Sequence, residues 1–265
     1  MNSQLKIAII GAGNMGGAIA RGLLKGKLVS PENIAVSDVS EEKLAELKNV
    51  SNQWITTTSN KEAIENADII IIAVKPWLVE QIADEIRENI DYSKQTLVSI
   101  AAGVDFVKLQ KLFDEKAVIF RIIPNTAIEV LESVSTVTSI NADQEKIALV
   151  TSVFEELGKV FYVADEKLLN AFMALSSCGI AYAFRYIRAA MEGGVEMGIY
   201  PNTAKEVVMQ TLKGAVKLLE SNQSHPETEI DKVTTPGGIT IKGLNEMEAN
   251  GFTNAVIKGL KKSLL

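Results

Sequence analysis

The sequence predicts an α/β protein: an N-terminal Rossmann-type, doubly wound parallel sheet followed by a C-terminal all-helical dimerisation domain. Three observations carry this. Short apolar, β-branched runs alternate with helical periodicities from Leu5 to about Val163, the pattern of a parallel sheet with crossover helices. Strand signals then stop, and long helical periodicities take over. A GxGxxG stretch, Gly11 to Gly16, lies on the first strand-to-helix turn. The boundary is placed at 162/163, with a dinucleotide-binding domain over 1–162 and a helical dimerisation and substrate domain over 163–265.

Taking the elements in order, Leu5–Ile10 is apolar and closed by Gly11, as a buried parallel strand should be. Asn14–Leu24 follows as a helix, with Met15, Ile19 and Leu23 on one face. Ile34–Val36 is a second strand, Glu41–Leu47 a second helix, Trp54–Thr57 a third strand and Glu62–Glu65 a short helix. Asp68–Val74 is the clearest strand; its apolar residues need cover on both faces, which makes it central. Val79–Ile86 is helical, and Thr96–Ile100, Ala117–Ile122, Val134–Ser139 and Val160–Val163 are further strands. Glu166–Met197 is one long helical stretch with a weak point at Ser176–Gly179, closed by Gly198 and Pro201. Asn202 or Thr203 caps a second long helix running to about Glu220. Ser221–Gly238 is polar, contains Pro226, Pro236, Gly237 and Gly238, and reads as a loop. Ile241–Glu248 and Asn254–Leu264 are the last helices.

Composition narrows the function classes. At roughly 150 residues per domain, 265 residues make about two domains. A hydrophobic fraction of 47% with 23% charged residues excludes collagen, coiled coil and disorder. The 27 Lys+Arg against 33 Asp+Glu leave a net charge of −6, with no global attraction for nucleic acid. Cys178 is the sole cysteine and His225 the sole histidine, so neither a disulfide nor a Cys- or His-based metal site is expected, and a cytoplasmic location is. The longest uninterrupted apolar run, Ile69–Val74, is far short of the ~20 residues that span a bilayer, so no membrane partner is expected. The single early Lys and short apolar run of the N-terminus resemble a signal peptide weakly; the glycine spacing explains the stretch better.

Gly11-Ala12-Gly13-Asn14-Met15-Gly16 follows a strand, opens a helix, and precedes Asp38 by 22 residues counted from Gly16. That is the full context of a dinucleotide fingerprint. Gly11 permits the tight turn, Gly13 lets a pyrophosphate approach, Gly16 lets helix and strand pack, and the helix N-terminus offers unpaired N–H groups. Asp38 is expected to meet a ribose 2′-OH and to repel a 2′-phosphate, with no Arg following it. NADH is therefore slightly favoured over NADPH, although Ser37 and Ser40 could hold a phosphate. The other role open to Asp38 is capping the helix from Glu41.

From Ala73-Val74-Lys75-Pro76 onward the sequence resembles the pyrroline-5-carboxylate reductase family of proline biosynthesis. Ser99–Val104 (SIAAGV), Arg121–Thr126 (RIIPNT), Asp231–Thr240 (DKVTTPGGIT) and Met247–Phe252 (MEANGF) are similar to family segments in the same order, spanning nearly the whole chain. Ser176–Tyr182 (SSCGIAY) departs from the family's SGSGPAY, Thr235 stands for a usual Ser, Ala127 for a Pro, and Ile239 for a small or polar residue. The resemblance implies hydride transfer from NAD(P)H to the C5=N carbon of a cyclic imine carboxylate, and a homodimer or higher homo-oligomer with each substrate site where two subunits meet. It places the Thr240 hydroxyl near the ring nitrogen as the catalytic group. Thr235, Gly237, Gly238 and Ile239 form a carboxylate site at a helix N-terminus, with Glu166 facing the substrate. Ala73, Val74, Lys75 and Pro76 pass beneath the nicotinamide, Ile100, Ala101 and Ala102 line the cleft, Asn125 stands in its inner wall, and Asn60 lies near the adenosine ribose. Bland roles stay open beside these: a helix cap after a Pro-Gly-Gly turn, a solvated charge for Lys75, an N-cap for Asn60, and a first-turn Glu at 166.

An imine arrives already electrophilic when protonated, which suits a chain with one His in a polar loop and, between Glu166 and Met197, only Lys167 at the start. A hydroxyacid dehydrogenase of the same build would want a mid-helix Lys there. A nucleotide-binding sensor would need no carboxylate turn. Between Ala171 and Gly198, small residues interleave with Phe172, Leu175, Tyr182, Phe184, Ile187 and Val195 on several faces, so this helix is expected to bury itself against a partner chain.

Overall fold

The computed structural model describes residues 5–264. The first four residues of the domain expected over 1–162, and the last of the one expected over 163–265, lie outside the described residues. The described chain divides into two compact units, one over residues 5–177 and one over Cys178–Leu264.

The first unit is an eight-stranded sheet ordered β3-β2-β1-β4-β5-β6-β7-β8. Its strands are β1 (Ile7–Ile10), β2 (Ile34–Ser37), β3 (Ile55–Thr57), β4 (Ile69–Ile72), β5 (Thr96–Ser99), β6 (Ile119–Ile123), β7 (Ser133–Ile140) and β8 (Gly158–Tyr162). The crossover helices are α1 (Asn14–Lys25), α2 (Glu41–Val50), α3 (Asn60–Ile64), α4 (Val79–Ile86), α5 (Phe106–Leu112) and α6 (Gln144–Glu155). Strands β1 to β6 pair in parallel. Alternate residues feed two cores: Ile7, Ile9, Ile69 and Ile71 join one face, Ala8, Ile10, Ile70 and Ile72 the other. This double cover is why β1 and β4 read as unbroken apolar runs, and β4 sits mid-sheet as expected.

Sequence and structure differ at defined places. The expected parallel sheet ends at β6, because β7 runs antiparallel to it and β8 parallel to β7. Only a single 3-10 turn, Thr126–Val130, links β6 to β7, which is too short for the helical crossover that a parallel pair needs. Two helices escaped the sequence reading, α5 and α6, each begun by an Asp whose side chain accepts from the backbone three residues on: Asp105 from Lys108 and Asp143 from Lys146. Those caps were the readable signal.

The compact units divide between Ser177 and Cys178, inside the segment expected to open the second domain. Val163, Leu169 and Met173 pack with Ile123 of β6, and the Ser177 hydroxyl donates to the Pro124 carbonyl at 2.8 Å, so the start of the long helix belongs to the sheet unit. That helix runs as a 3-10 turn (Glu166–Leu168), α7 (Leu169–Met173), a π-turn (Ala174–Cys178) and α8 (Gly179–Glu196). The weak point expected at Ser176–Gly179 is thus a π-bulge, a feature that concentrates at functional sites.

The second unit contains α8, α9 (Pro201–Asn222), α10 (Pro226–Val233), α11 (Ile239–Ala249) and α12 (Phe252–Lys262). Helix α9 starts with Pro201 at its first turn and not at a cap on Asn202 or Thr203. The segment read as a loop over Ser221–Gly238 holds α10, which His225 caps by accepting from Glu227 N, with Pro226 in the first turn. Proline there starts a helix where the sequence reading took it as a breaker. Gly194 and Ala204 bring α8 and α9 into close approach: a Cβ on Gly194 would lie 3.1 Å from that of Ala204.

Phe120 of β6 is fully buried in the first core. Phe120→Ala is expected to lower unfolding free energy by about 3–5 kcal/mol in urea titration, through lost transfer energy and the cavity left behind.

Candidate active site

The first unit gathers its candidate residues at the carboxyl ends of four parallel strands. Gly11 N donates to Ser37 O at 2.7 Å, Ala73 N to Ile10 O at 2.8 Å, and Ile100 N to Ile72 O at 3.2 Å. These bonds lace the ends of β1, β2, β4 and β5 together, where ligands of open α/β sheets collect. Gly11 has φ +103°, and a Cβ there would lie 2.8 Å from the Ala73 carbonyl oxygen. A Cβ on Gly16 would collide with the Gly11 carbonyl and touch the Ala73 side chain at 3.0 Å. Gly13 differs: a Cβ would meet nothing within 4 Å, and Gly13 is the N-cap of α1 with no side chain capping the helix. An open approach onto uncapped N–H groups is what a pyrophosphate requires. Ala12 is buried, Asn14 exposed and Met15 half-buried in this turn.

Asp38 has a more specific role than either one expected for it. Oδ2 accepts from Ala12 N at 2.7 Å and Oδ1 from Ser40 N at 2.9 Å, with Lys43 Nζ 3.6 Å from Oδ2. The carboxylate fastens the glycine turn to the end of β2, and Ser40, not Asp38, caps α2. Asn60 is buried: Oδ1 accepts from the Ser37 hydroxyl at 2.7 Å and Nδ2 donates to Glu85 at 2.9 Å, tying β2 to α4. Ser59 caps α3 instead of Asn60.

Ala73 and Val74 are half-buried after β4, and Lys75 is exposed and caps the 3-10 turn Pro76–Leu78. Ile100 is half-buried, Ala101 buried and Ala102 exposed beyond β5. Asn125 is buried, accepts from Ala127 N at 3.1 Å and points its Nδ2 to Ser176 O at 3.5 Å, so it joins β6 to the π-turn.

Glu166, expected to face the substrate, holds a structural link through one of its oxygens. Its Oε1 accepts from Arg121 at 2.5 Å and from Phe106 N at 2.9 Å, while the Arg121 guanidinium lies 6.0 Å from the Phe106 ring centre. Arg121 is buried, so the pair joins β6, the start of α5 and the turn into the long helix. Sequence spacing carried no sign of this link, because the partners lie 45 and 60 positions from Glu166.

In the second unit, Thr235 to Thr240 form one turn. Gly238 N donates to Thr235 O at 2.9 Å, and Gly237 sits at φ +74°, a conformation that favours glycine. Gly238 caps α11 without a side chain, and Ile239 and Thr240 open the helix, both exposed with Thr235. Upstream, Glu229 accepts from Lys232, Ser224 and Asn222. These bonds, led by that from the Lys232 ammonium, hold its carboxyl at about 2, so it stays ionised and ties α10 back to the end of α9. Cys178 is a free thiol, half-buried, and Arg188 pairs with Glu192 along the face of α8.

Comparison with known proteins places the chain. A family model described as pyrroline-5-carboxylate reductase dimerisation matches residues 166–264, and one described as NADP oxidoreductase coenzyme F420-dependent matches residues 6–103. A pyrroline-5-carboxylate reductase of Methanosarcina acetivorans is 34% identical, over 97% of this chain and 96% of the relative. The chain belongs to the pyrroline-5-carboxylate reductase family. A Dictyostelium discoideum reductase is 35% identical, and this chain spans about half of that longer relative, 48%. The crystal structure of the Plasmodium falciparum pyrroline carboxylate reductase with NADP bound superposes with a TM-score of 0.89 at 27% identity, covering 99% of this chain and 97% of that one.

Membership in the reductase family accounts for the surface of the second unit. Among its described residues only Gly194 and Ala204 are buried, while Phe184, Met197, Val207, Val216, Leu218 and Ile257 are exposed. A unit with so little core of its own is completed by a second chain, and the reductase assembles as a homo-oligomer through this region. The helical run Glu166–Glu196 contains an 18-residue window with a mean hydropathy of 1.2, long and apolar enough to cross a membrane by length and composition alone, although no uninterrupted apolar run in it approaches that length.

Glu166→Ala would leave the buried Arg121 guanidinium uncompensated. An unfolding free energy lower by about 3 kcal/mol is expected in denaturant titration, with Glu166→Gln retaining part of it through its remaining acceptor.

Proposed function

We propose that this chain reduces the C5=N imine of 1-pyrroline-5-carboxylate to L-proline, with NAD(P)H as hydride donor and a cytoplasmic setting. The observation that carries the reading is the chain-long likeness to reductases of that name, together with a glycine turn whose one open position faces an uncapped helix. The cofactor supplies the hydride; the chain supplies everything that holds and polarises the reactants.

Gly11, Ala12, Gly13, Asn14, Met15 and Gly16 hold the pyrophosphate against the start of α1. Ala73, Val74, Lys75 and Pro76 form the floor beneath the nicotinamide, Ile100, Ala101 and Ala102 the side of the cleft, and Asn125 keeps its wall in register. Asn60 acts on the adenosine end through Ser37, which it bonds. Asp38 presents its charge where a ribose 2′-OH or 2′-phosphate would lie, which favours NADH slightly.

The substrate carboxylate is taken at the N-terminus of α11 by the backbone N–H groups of Gly237 and Ile239, with the Thr235 hydroxyl as a further donor and Gly238, whose N–H is bonded to Thr235 O, holding the turn. The Thr240 hydroxyl sits in the first turn of the same helix and hydrogen-bonds the ring nitrogen. As the hydride reaches C5, the C=N π pair becomes the nitrogen lone pair, and a protonated imine leaves this as the neutral secondary amine of proline. A hydroxyl therefore suffices, and no strong base is needed. Glu166 fixes the turn into the long helix, whose Ser176 and Ser177 bond Asn125 and Pro124 in the wall of the cofactor cleft.

Thr240→Ala is expected to lower kcat and kcat/KM together, by about 10²-fold, with the Kd for cofactor unchanged. A loss below threefold in steady-state assays with pyrroline-5-carboxylate would move the catalytic role to another group. Initial rates at matched, subsaturating cofactor should favour NADH; a tenfold higher kcat/KM with NADPH would reverse that assignment.

A further inference from the structure

The end of β2 holds a charge that cannot swing away. The Asp38 side chain is 9% exposed, and both of its oxygens are bonded to backbone N–H groups, Ala12 on one side and Ser40 on the other. Rotating the carboxylate out would unfasten the glycine turn from β2. Any group brought to this edge therefore meets a fixed negative charge, with Glu41 and Glu42 in the first turn of α2 adding to it. Between Ser37 and Glu46 a single cation answers these charges, Lys43.

Lys43 is placed differently from the residues around it. Its Nζ lies 3.6 Å from Asp38 Oδ2, longer than a direct hydrogen bond, and its side chain is 47% exposed. No other described residue pairs with it. Its stem is flexible, so the ammonium can leave Asp38 for a second anion at little cost. Its own backbone N–H donates to the Ser40 hydroxyl oxygen at 3.4 Å, which leaves that hydroxyl's proton free to donate outward. One mobile cation and one oriented hydroxyl thus stand beside a carboxylate that is locked in place.

We propose that Lys43 is the residue that lets this site accept the 2′-phosphate of NADP(H) in spite of Asp38, and that it sets the ratio in which the two cofactors are held. The inference rests on the dinucleotide reading of the Gly11–Gly16 turn and deepens it. Asp38, held by Ala12 N and Ser40 N, cannot turn its charge aside and so disfavours the phosphate on its own. Discrimination falls to Lys43, because a ribose 2′-OH gains little from an ammonium while a phosphate dianion gains a charge-assisted hydrogen bond.

The test is equilibrium titration of the full-length protein and of Lys43→Ala and Lys43→Arg with NADPH and NADH, read by nicotinamide fluorescence. Competition by 2′,5′-ADP and 5′-AMP is measured in parallel. Lys43→Ala should weaken NADPH and 2′,5′-ADP by about tenfold and NADH and 5′-AMP by less than twofold. Lys43→Arg should keep the parent ratio, and thermal midpoints should stay together. Equal weakening of both cofactors, no change in either, or a parent protein that binds only NADH would overturn the proposal. A parent that binds neither dinucleotide would overturn the cofactor reading itself, and the proposal with it.

Discussion

The close approach of the first strand-to-helix turn to the central strand is the constraint on which the first unit depends. Gly11 lies against the Ala73 backbone, and Gly16 closes on the Gly11 carbonyl and the Ala73 side chain, so β1, α1 and β4 meet with no side chain from the glycine positions between them. Methyl groups there would force the strand ends apart. The bonds from Gly11 to Ser37 and from Ala12 to Asp38 then carry the same contact out to β2. A turn held this tightly keeps the start of α1 uncapped and facing open space, which is the state an anion needs.

Around that contact the polar groups divide their work. Asp38, Asn60, Asn125 and Glu166 each have the chemistry of a ligand-binding side chain, and each is bonded to protein in this fold. They position strand ends and loops, and under the proposed function backbone groups and hydroxyls meet cofactor and substrate. This arrangement suits reduction of an activated imine, where orientation matters more than a strong acid or base. The second unit follows a different economy. With Gly194 and Ala204 as its only buried residues among those described, it depends on another chain for its core, so assembly and folding of the helical half are linked.

The glycine turn, the central strand, the Pro-Gly-Gly turn and the change to all-helical texture were legible because each is a local pattern: spacing, β-branching, or a residue needing unusual φ. Helix α5 offered only its Asp105 cap because it is short, and the reversal of β7 was not legible because it depends on loop length between strands. Helix α10 was misread because Pro226 both breaks and begins helices, and only the bond from Glu227 N to His225 decides between the two.

By itself the sequence determined the two-part architecture, the cofactor turn and the family, since these rest on periodicity and on motifs of adjacent residues. Tertiary structure alone decided what the polar side chains do. Glu166 and Arg121 are 45 positions apart, and Asn60 and Glu85 are 25 apart. Their pairing follows from which elements the sheet brings side by side, and burial then obliges each polar group to find its partner within the protein. The compact units divide within the long helix for the same reason: Leu169 and Met173 look like the rest of their helix in sequence, but they pack on Ile123.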